Sequence, residues 1–335
     1  MRVDAEALFH QGLRQVGVAR VSLPPLGPES VTVKARASAI SAGTERLIFD
    51  GQQPAGLPLD LSLKILNEAQ GYPFRYGYAL VGQIVEVGTR TDPELVGRSV
   101  FVFHPHQDVL VIERQACFLL PESLPPERAL FLANMETAVA LVHDVDPVLG
   151  ECGLVLGQGI VGLLVLALLQ RLGLKRLVAV DRCPARQDRA RALGAHYAGP
   201  RVSLEDLPVR GSESLGFDFA VELTGQPSAL NEAIEAVGFD GRIIIGSWYG
   251  QRQGAIDLGA HFHRRRQRLI SSQVSTVSPR KQSRWDANRR LSLALDWLSL
   301  IQPEQFITHR LPLRDCQQAF LALDDPAALQ IILEY

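Results

Sequence analysis

"GLVLGQGIVGLLVLALLQRLGLKRLVAVD", residues 153–181, is the stretch that decides the fold. "GLVLGQG" (153–159) reads as an apolar strand running into a glycine turn, "IVGLLVLALLQRLG" as a helix, and "RLVAVD" (176–181) as a second strand. The turn, Gly157-Gln158-Gly159-Ile160-Val161-Gly162, fits G-x-G-x-x-G. Such turns occur in many folds, but here the motif leaves a strand, opens a helix and is followed by a strand ending in Asp181. Gly157 permits a tight turn, Gly159 lets backbone approach a pyrophosphate, and Gly162 lets the helix pack closely on the strand. The helix start, with Ile160 and Val161, then offers unpaired N–H groups to phosphate. Asp181 can accept both ribose hydroxyls of NAD and opposes the 2'-phosphate of NADP. Arg182 and Arg186 pull the other way, so NAD is expected with NADP as the alternative.

Outward from this stretch, strands and helices alternate. A helix is expected at "ARQDRARALG" (185–194), strands at "FDFAVELTG" (217–225), "GRIIIGSWYG" (241–250) and "RLISSQV" (268–274), and a helix at "SALNEAIEAVG" between the first two of these strands. Strict alternation implies right-handed crossovers and a parallel, doubly wound Rossmann sheet. The first third of the chain has a different texture. Short strand-like runs at 31–40, 80–88, 99–106 and 108–113 are separated by Gly and Pro, as in a strand-rich barrel. Helical spacing first appears in "PPERALFLANMETAVALVHDV" (125–145).

The expected organisation is a substrate domain over 1–124, completed by 277–335, and a dinucleotide-binding domain over 125–276. A chain of 335 residues is long enough for two domains of roughly 150 residues. A net charge of -2 gives no field to attract nucleic acid or anionic lipid. The longest apolar run, "IVGLLVLALL", is about half of the ~20 residues a membrane span needs. The four cysteines, Cys117, Cys152, Cys183 and Cys316, are scattered and suit a reducing cytoplasm. The N-terminal "MRVDAEALFHQGLRQVG" has no apolar core of signal-peptide length, which disfavours secretion.

Taken together, "GQIVEVG", "VLGQGIVG", "VDRCPARQDRARALGA", "ELTGQPSALNEAIEAVGFDGRIIIGSWYG" and "ITHRLPL" resemble the medium-chain dehydrogenase/reductase family. Within it, "SAISAGTERLIFDG" (38–51) and "DLGAHFHRRRQRLISSQVS" (257–275) look like the hydroxyethyl bacteriochlorophyllide dehydrogenase branch. The resemblance implies a GroES-like barrel beside the Rossmann domain, completed by the C-terminal tail, with the active site in the cleft between them. It also implies a small-molecule substrate and a homodimer or other homo-oligomer. By position, Thr224 and Gly225 would border the adenosine half of the cofactor, and Ser247 and Trp248 would run past the nicotinamide. Trp248 and Tyr249 could equally pack at a strand end.

The metal positions implied by the resemblance are altered. "GYPFRYGYALVGQIVEVG" (71–88) has Gly77-Tyr78-Ala79 where the family usually reads G-H-E, with the His on zinc. The family's Cys ligand falls at or next to Ser41, and its third ligand on Glu136. Catalytic zinc normally needs three protein ligands, so zinc is not expected. A relocated metal would have to use His104 and His106, which point to opposite faces of an extended segment. His261 and His263 read as a solvated strand start. Without zinc, Tyr78 could donate to a carbonyl oxygen or be a core tyrosine filling the vacated ligand space; Thr44 and Glu45 stand where the family runs its proton relay and Glu136 adds a carboxylate, although Glu45 and Glu136 could instead be structural ion-pair partners. The expected function is zinc-independent NAD(P)-dependent hydride transfer between an alcohol and a ketone. The alternatives are a non-catalytic NAD(P)-binding protein and a zinc dehydrogenase with relocated ligands.

Overall fold

The computed structural model describes residues 4–54, 56, 71–203, 209–210, 213–214 and 216–335. The chain divides into two compact units, Met1–Ala133 with Leu298–Tyr335, and Asn134–Trp297.

The second unit is built on six strands in the spatial order Tyr197–Gly199, Arg176–Val180, Cys152–Leu156, Phe217–Glu222, Val237–Ile245, Arg268–Ser271. All five pairings are parallel. Numbered along the chain, this order is 3-2-1-4-5-6, the doubly wound arrangement. Its direction reverses between Cys152–Leu156 and Phe217–Glu222, so the crevice beyond their C-terminal ends is where such sheets bind ligands. The first strand is buried throughout, and nine of the ten residues of helix Ile160–Leu169 are buried. A helix apolar on all sides belongs inside the protein. Among the described residues no helix is long and apolar enough to cross a membrane.

Three strands of this sheet stop earlier than their composition suggests. "FDFAVELTG" is a strand only to Glu222, "RLISSQV" only to Ser271, and "GRIIIGSWYG" only to Ile245, where its last pairing with Ser271 falls. Leu223 and Gly246 still donate to the Leu156 and Glu222 carbonyls, and the residues after them leave the ladder at the C-terminal end of the sheet. His261 lies in a single helical turn, Leu258–Phe262, rather than at a strand start. Asp257 caps that turn by accepting from the Gly259 and Ala260 N–H groups.

In the first unit, a seven-stranded sheet has the order Ile307–Pro312, Gln330–Glu334, Ser30–Ile40, Leu80–Val87, Ser99–Val102, Cys117–Leu119, with Val109–Glu113 also paired to Ser30–Ile40. Strand Gln330–Glu334 pairs antiparallel with Ser30–Ile40, so the end of the chain is woven into the first unit. A separate hairpin joins Asp4–Gly12 to Gln15–Ser22.

His10, in that hairpin, is an apolar-site histidine. It is fully buried, stacked on Phe74 at 5.1 Å and edge-on to Phe320 at 5.4 Å. Neither ring nitrogen has a partner among the described residues. Burial, and secondarily His106, lowers its pKa from 6.5 to about 3. His104 is lowered to about 4, first by burial. Both rings take up a proton more readily in the unfolded chain. Their contribution to stability is therefore intact above about pH 6.5 and is lost as pH falls toward the folded values, by about 1.4 kcal/mol per pH unit per ring. His10→Phe should keep the stacking, relieve two orphaned nitrogens and flatten the acid limb of a plot of melting temperature against pH. Parallel curves for variant and wild type would refute this account.

Candidate active site

At the turn of the second unit, Gly157 has φ +91°, and a Cβ there would lie 2.6 Å from the Leu223 backbone. A Cβ on Gly162 would come within 1.9 Å of the Gly157 carbonyl oxygen. Helix Ile160–Leu169 is thus pressed against the turn as closely as backbone allows. Gly159 is the opposite case: a Cβ there meets nothing within 4 Å. Glycine at 159 keeps open space beside the helix start, where Gly159 caps without a side-chain bond. This cradle fits a pyrophosphate.

Asp181 lies one residue past its strand, and its carboxylate accepts the Gln158 N–H at 2.7 Å and the Cys183 N–H at 2.8 Å. Each oxygen still has a lone pair to offer a ribose hydroxyl. Arg186 stands 3.9 Å from the same carboxylate.

On the other side of the switch point, buried Glu222 ties two loops together. It accepts from the Thr224 N–H at 2.7 Å, the Thr224 hydroxyl and the Tyr249 hydroxyl at 2.6 Å. Burial first, and Glu222 second, hold the Tyr249 phenol far above its ordinary pKa. Ser247 Oγ accepts the Gly225 N–H at 2.9 Å, and Arg252 donates to the Gly225 carbonyl at 2.8 Å. Trp248 remains 36% exposed, whereas Tyr249 is committed to Glu222. Sequence reading passed over Glu222; its signal is a carboxylate ending an otherwise apolar strand.

The first unit gathers Ser41, Tyr78, Thr44 and Glu45. Tyr78 donates its hydroxyl to Ser41 Oγ at 2.7 Å, and its ring packs on a cluster of Ile48, Phe74 and Tyr76. The Thr44 N–H also reaches Ser41 Oγ, at 3.3 Å. Glu45 is fully buried. One of its oxygens accepts the Ser41 N–H at 2.8 Å and the other bonds His106 Nε2 at 2.8 Å. His106 Nδ1 is 2.6 Å from Ser38 Oγ, and Ser38 is 2.7 Å from the Tyr335 hydroxyl. Gly77 faces this ring: its φ is +129°, and a Cβ would lie 2.8 Å from His106. Sequence reading weighed His106 as a metal ligand against a polar pocket lining or surface role, and missed Ser38 and Tyr335, which nothing local distinguishes.

The remaining metal-position residue, Glu136, lies in the second unit. Arg290 donates to its Oε1 from Nε at 3.1 Å and from Nη2 at 3.0 Å. Burial lifts the Glu136 carboxyl above its ordinary pKa, with Arg290 opposing. His104 Nδ1 is 2.8 Å from the Pro105 carbonyl. Among the described residues no three His, Cys, Asp or Glu side chains are grouped to hold a metal.

The family described as "Glucose dehydrogenase C-terminus" matches residues 133–332, more than half of the chain. The (R,R)-butanediol dehydrogenase of Bacillus subtilis is 26% identical over 69% of this chain and 74% of its own. The L-threonine 3-dehydrogenase of Xanthomonas euvesicatoria is 24% identical over 94% and 95%. Among solved structures, the 2R,3R-butanediol dehydrogenase of Bacillus subtilis superposes with a TM-score of 0.77 at 20% identity, covering 99% of both chains. A short chain alcohol dehydrogenase of E. coli CFT073, complexed with NADH, superposes at 0.76 with 18% identity, again over 99% of both. The chain belongs to the glucose dehydrogenase C-terminus family, within the medium-chain dehydrogenases, and has their Rossmann plus GroES-like fold. It is an NAD(P)-dependent oxidoreductase.

Proposed function

We propose that the protein is a zinc-independent, NAD-preferring dehydrogenase that interconverts a secondary alcohol and its ketone. The observation that carries this reading is the Tyr78–Ser41 hydrogen bond, at positions where the resembled enzymes hold zinc. A serine and a tyrosine hydroxyl, the second donating to the first, with Glu136 engaged by Arg290, make a poor donor set for zinc, which favours three ligands from Cys, His and carboxylates. Secondary alcohols are favoured because the butanediol and threonine enzymes named above are relatives.

In this reading the second unit holds the dinucleotide. Gly157, Gly159, Ile160, Val161 and Gly162 face the pyrophosphate, Asp181 the ribose with Arg182 and Arg186 beside it, Thr224 and Gly225 the adenosine half, and Ser247 and Trp248 the nicotinamide side. A bound nicotinamide supplies or accepts the hydride. The first unit handles the substrate oxygen through Tyr78, with Thr44 supporting Ser41. Glu45 and Glu136 act by holding other groups, since each carboxylate is buried and bonded. Four free cysteines, three of them buried, support the cytoplasm as its compartment, and homo-oligomerisation is carried over from the family.

The test is a panel of butane-2,3-diol, L-threonine, hexitols and ring-bearing secondary alcohols, each with NAD and with NADP, read as reduced nicotinamide formed without added metal. Turnover by protein that contains no stoichiometric zinc on elemental analysis is the expected result. One tightly bound zinc per chain, or no turnover across the panel, would overturn the reading.

Cofactor preference has its own test. Asp181→Ser removes the charge opposing a 2'-phosphate, so the NADP to NAD affinity ratio should rise by about tenfold or more, about 1.4 kcal/mol. Calorimetric titration of both cofactors measures it. An unchanged ratio would assign the preference to Arg182, Arg186 or the backbone.

A further inference from the structure

The hydrogen bonds around Ser41 can be followed one hydrogen at a time. With the His106 ring hydrogen on Nε2, pointing at the Glu45 carboxylate, Nδ1 is left as an acceptor. Ser38 then donates to Nδ1 and accepts from the Tyr335 hydroxyl. Ser38, His106 and Glu45 are all fully buried, so this chain is closed to substrate. Its outward end is the Ser41 N–H, which donates to the second Glu45 oxygen. Ser41 is thereby pinned by its backbone while its hydroxyl stays half-buried.

That hydroxyl has an unequal set of partners. Its oxygen accepts from the Tyr78 hydroxyl and from the Thr44 N–H, which fills both lone pairs. Its own hydrogen has no acceptor among the described residues. The Tyr78 hydrogen, by contrast, is already committed to Ser41.

We infer that Ser41 is a catalytic residue: it donates directly to the substrate oxygen, and Tyr78 resupplies it. The inference rests on the alcohol–ketone reading above. In the reductive direction the carbonyl carbon takes the hydride supplied by reduced nicotinamide, and the carbonyl π pair moves to oxygen. That oxygen takes the Ser41 hydrogen, Ser41 Oγ takes the Tyr78 hydrogen, and half-buried Tyr78 regains a proton from water. The net change is ketone plus hydride plus one proton to alcohol. Glu45 and His106 are positioning residues, and Gly77 is needed because any Cβ there would displace the His106 ring.

The experiment reads butane-2,3-diol oxidation, or the preferred alcohol of the panel where the wild type favours another. Ser41→Ala should lower kcat by roughly 10²- to 10³-fold, the loss typical of one positioned donor. NADH affinity by fluorescence and melting temperature should match wild type, and Ser41→Thr should recover much of the activity. Because the two hydroxyls act in series, Ser41→Ala combined with Tyr78→Phe should cost no more than the worse single change. The wild type should show a solvent deuterium isotope effect on kcat with a bowed proton inventory, reporting more than one hydrogen in flight. If Ser41→Ala proves unstable, Ser41→Thr against Ser41→Val isolates the hydroxyl at constant shape. Should the hydroxyl-free variants keep kcat within a few-fold while Tyr78→Phe loses it, Ser41 is only a support and the inference falls, with the dehydrogenase reading intact. Should the wild type oxidise no alcohol of the panel, the dehydrogenase reading falls first and takes the inference with it.

Discussion

Tyr78→Phe should lower turnover by roughly 10²- to 10⁴-fold, the range of a positioned general acid, with dinucleotide affinity and melting temperature close to wild type. The substitution removes one atom. The ring that packs on Ile48, Phe74 and Tyr76, edge-on to Tyr76 at 6.1 Å, is retained. What disappears is the 2.7 Å donation to Ser41. A tyrosine that merely fills the space of an absent ligand would tolerate the change. A tyrosine that feeds a proton to the substrate oxygen would not. The steady-state rate on the panel alcohol and the melting curve separate the two, and a variant that keeps most of its turnover would eliminate Tyr78 from the chemistry.

What the sequence discloses follows from how local the determining contacts are. The dinucleotide turn is legible because its glycines act within six residues: Gly162 must be glycine because of Gly157, and the helix start follows at once. The sheet is legible because strict alternation of strand and helix leaves few topologies. The ends of Phe217–Glu222 and Val237–Ile245 are less so, because a strand stops where its neighbour's ladder stops, and that neighbour is set by the whole sheet. The altered triplet Gly77-Tyr78-Ala79 marks the place of the site but not its wiring. Ser38 lies in a strand, Glu45 in the short helix Thr44–Phe49, His106 in a loop and Tyr335 just past the last strand, and no spacing in the chain announces that these four share one hydrogen-bonded chain.

Glu136 is the sharpest case of a residue whose type and position left both chemistry and a structural ion pair open, and whose surroundings favour the ion pair. Its partner Arg290 is 154 positions away and has a side chain only 4% exposed. The guanidinium also donates to the Thr276 carbonyl at 3.2 Å and to the Val274 carbonyl. Glu136→Ala would leave a buried cation facing two carbonyls but no countercharge, and removing one member of a buried pair typically costs about 3–5 kcal/mol. For a unit of this size each kcal/mol moves the melting temperature by about 2–4 °C, so a drop on the order of 10 °C is expected. The double variant Glu136→Ala with Arg290→Met deletes both charges and should recover most of that loss, because a methionine in place of the cation needs no partner. If Glu136 instead reached the substrate or a metal, Glu136→Ala would lower kcat or metal content at an unchanged melting temperature, and Arg290→Met would not rescue it. Recovery of stability in the double variant is the result that fixes Glu136 as a counterion.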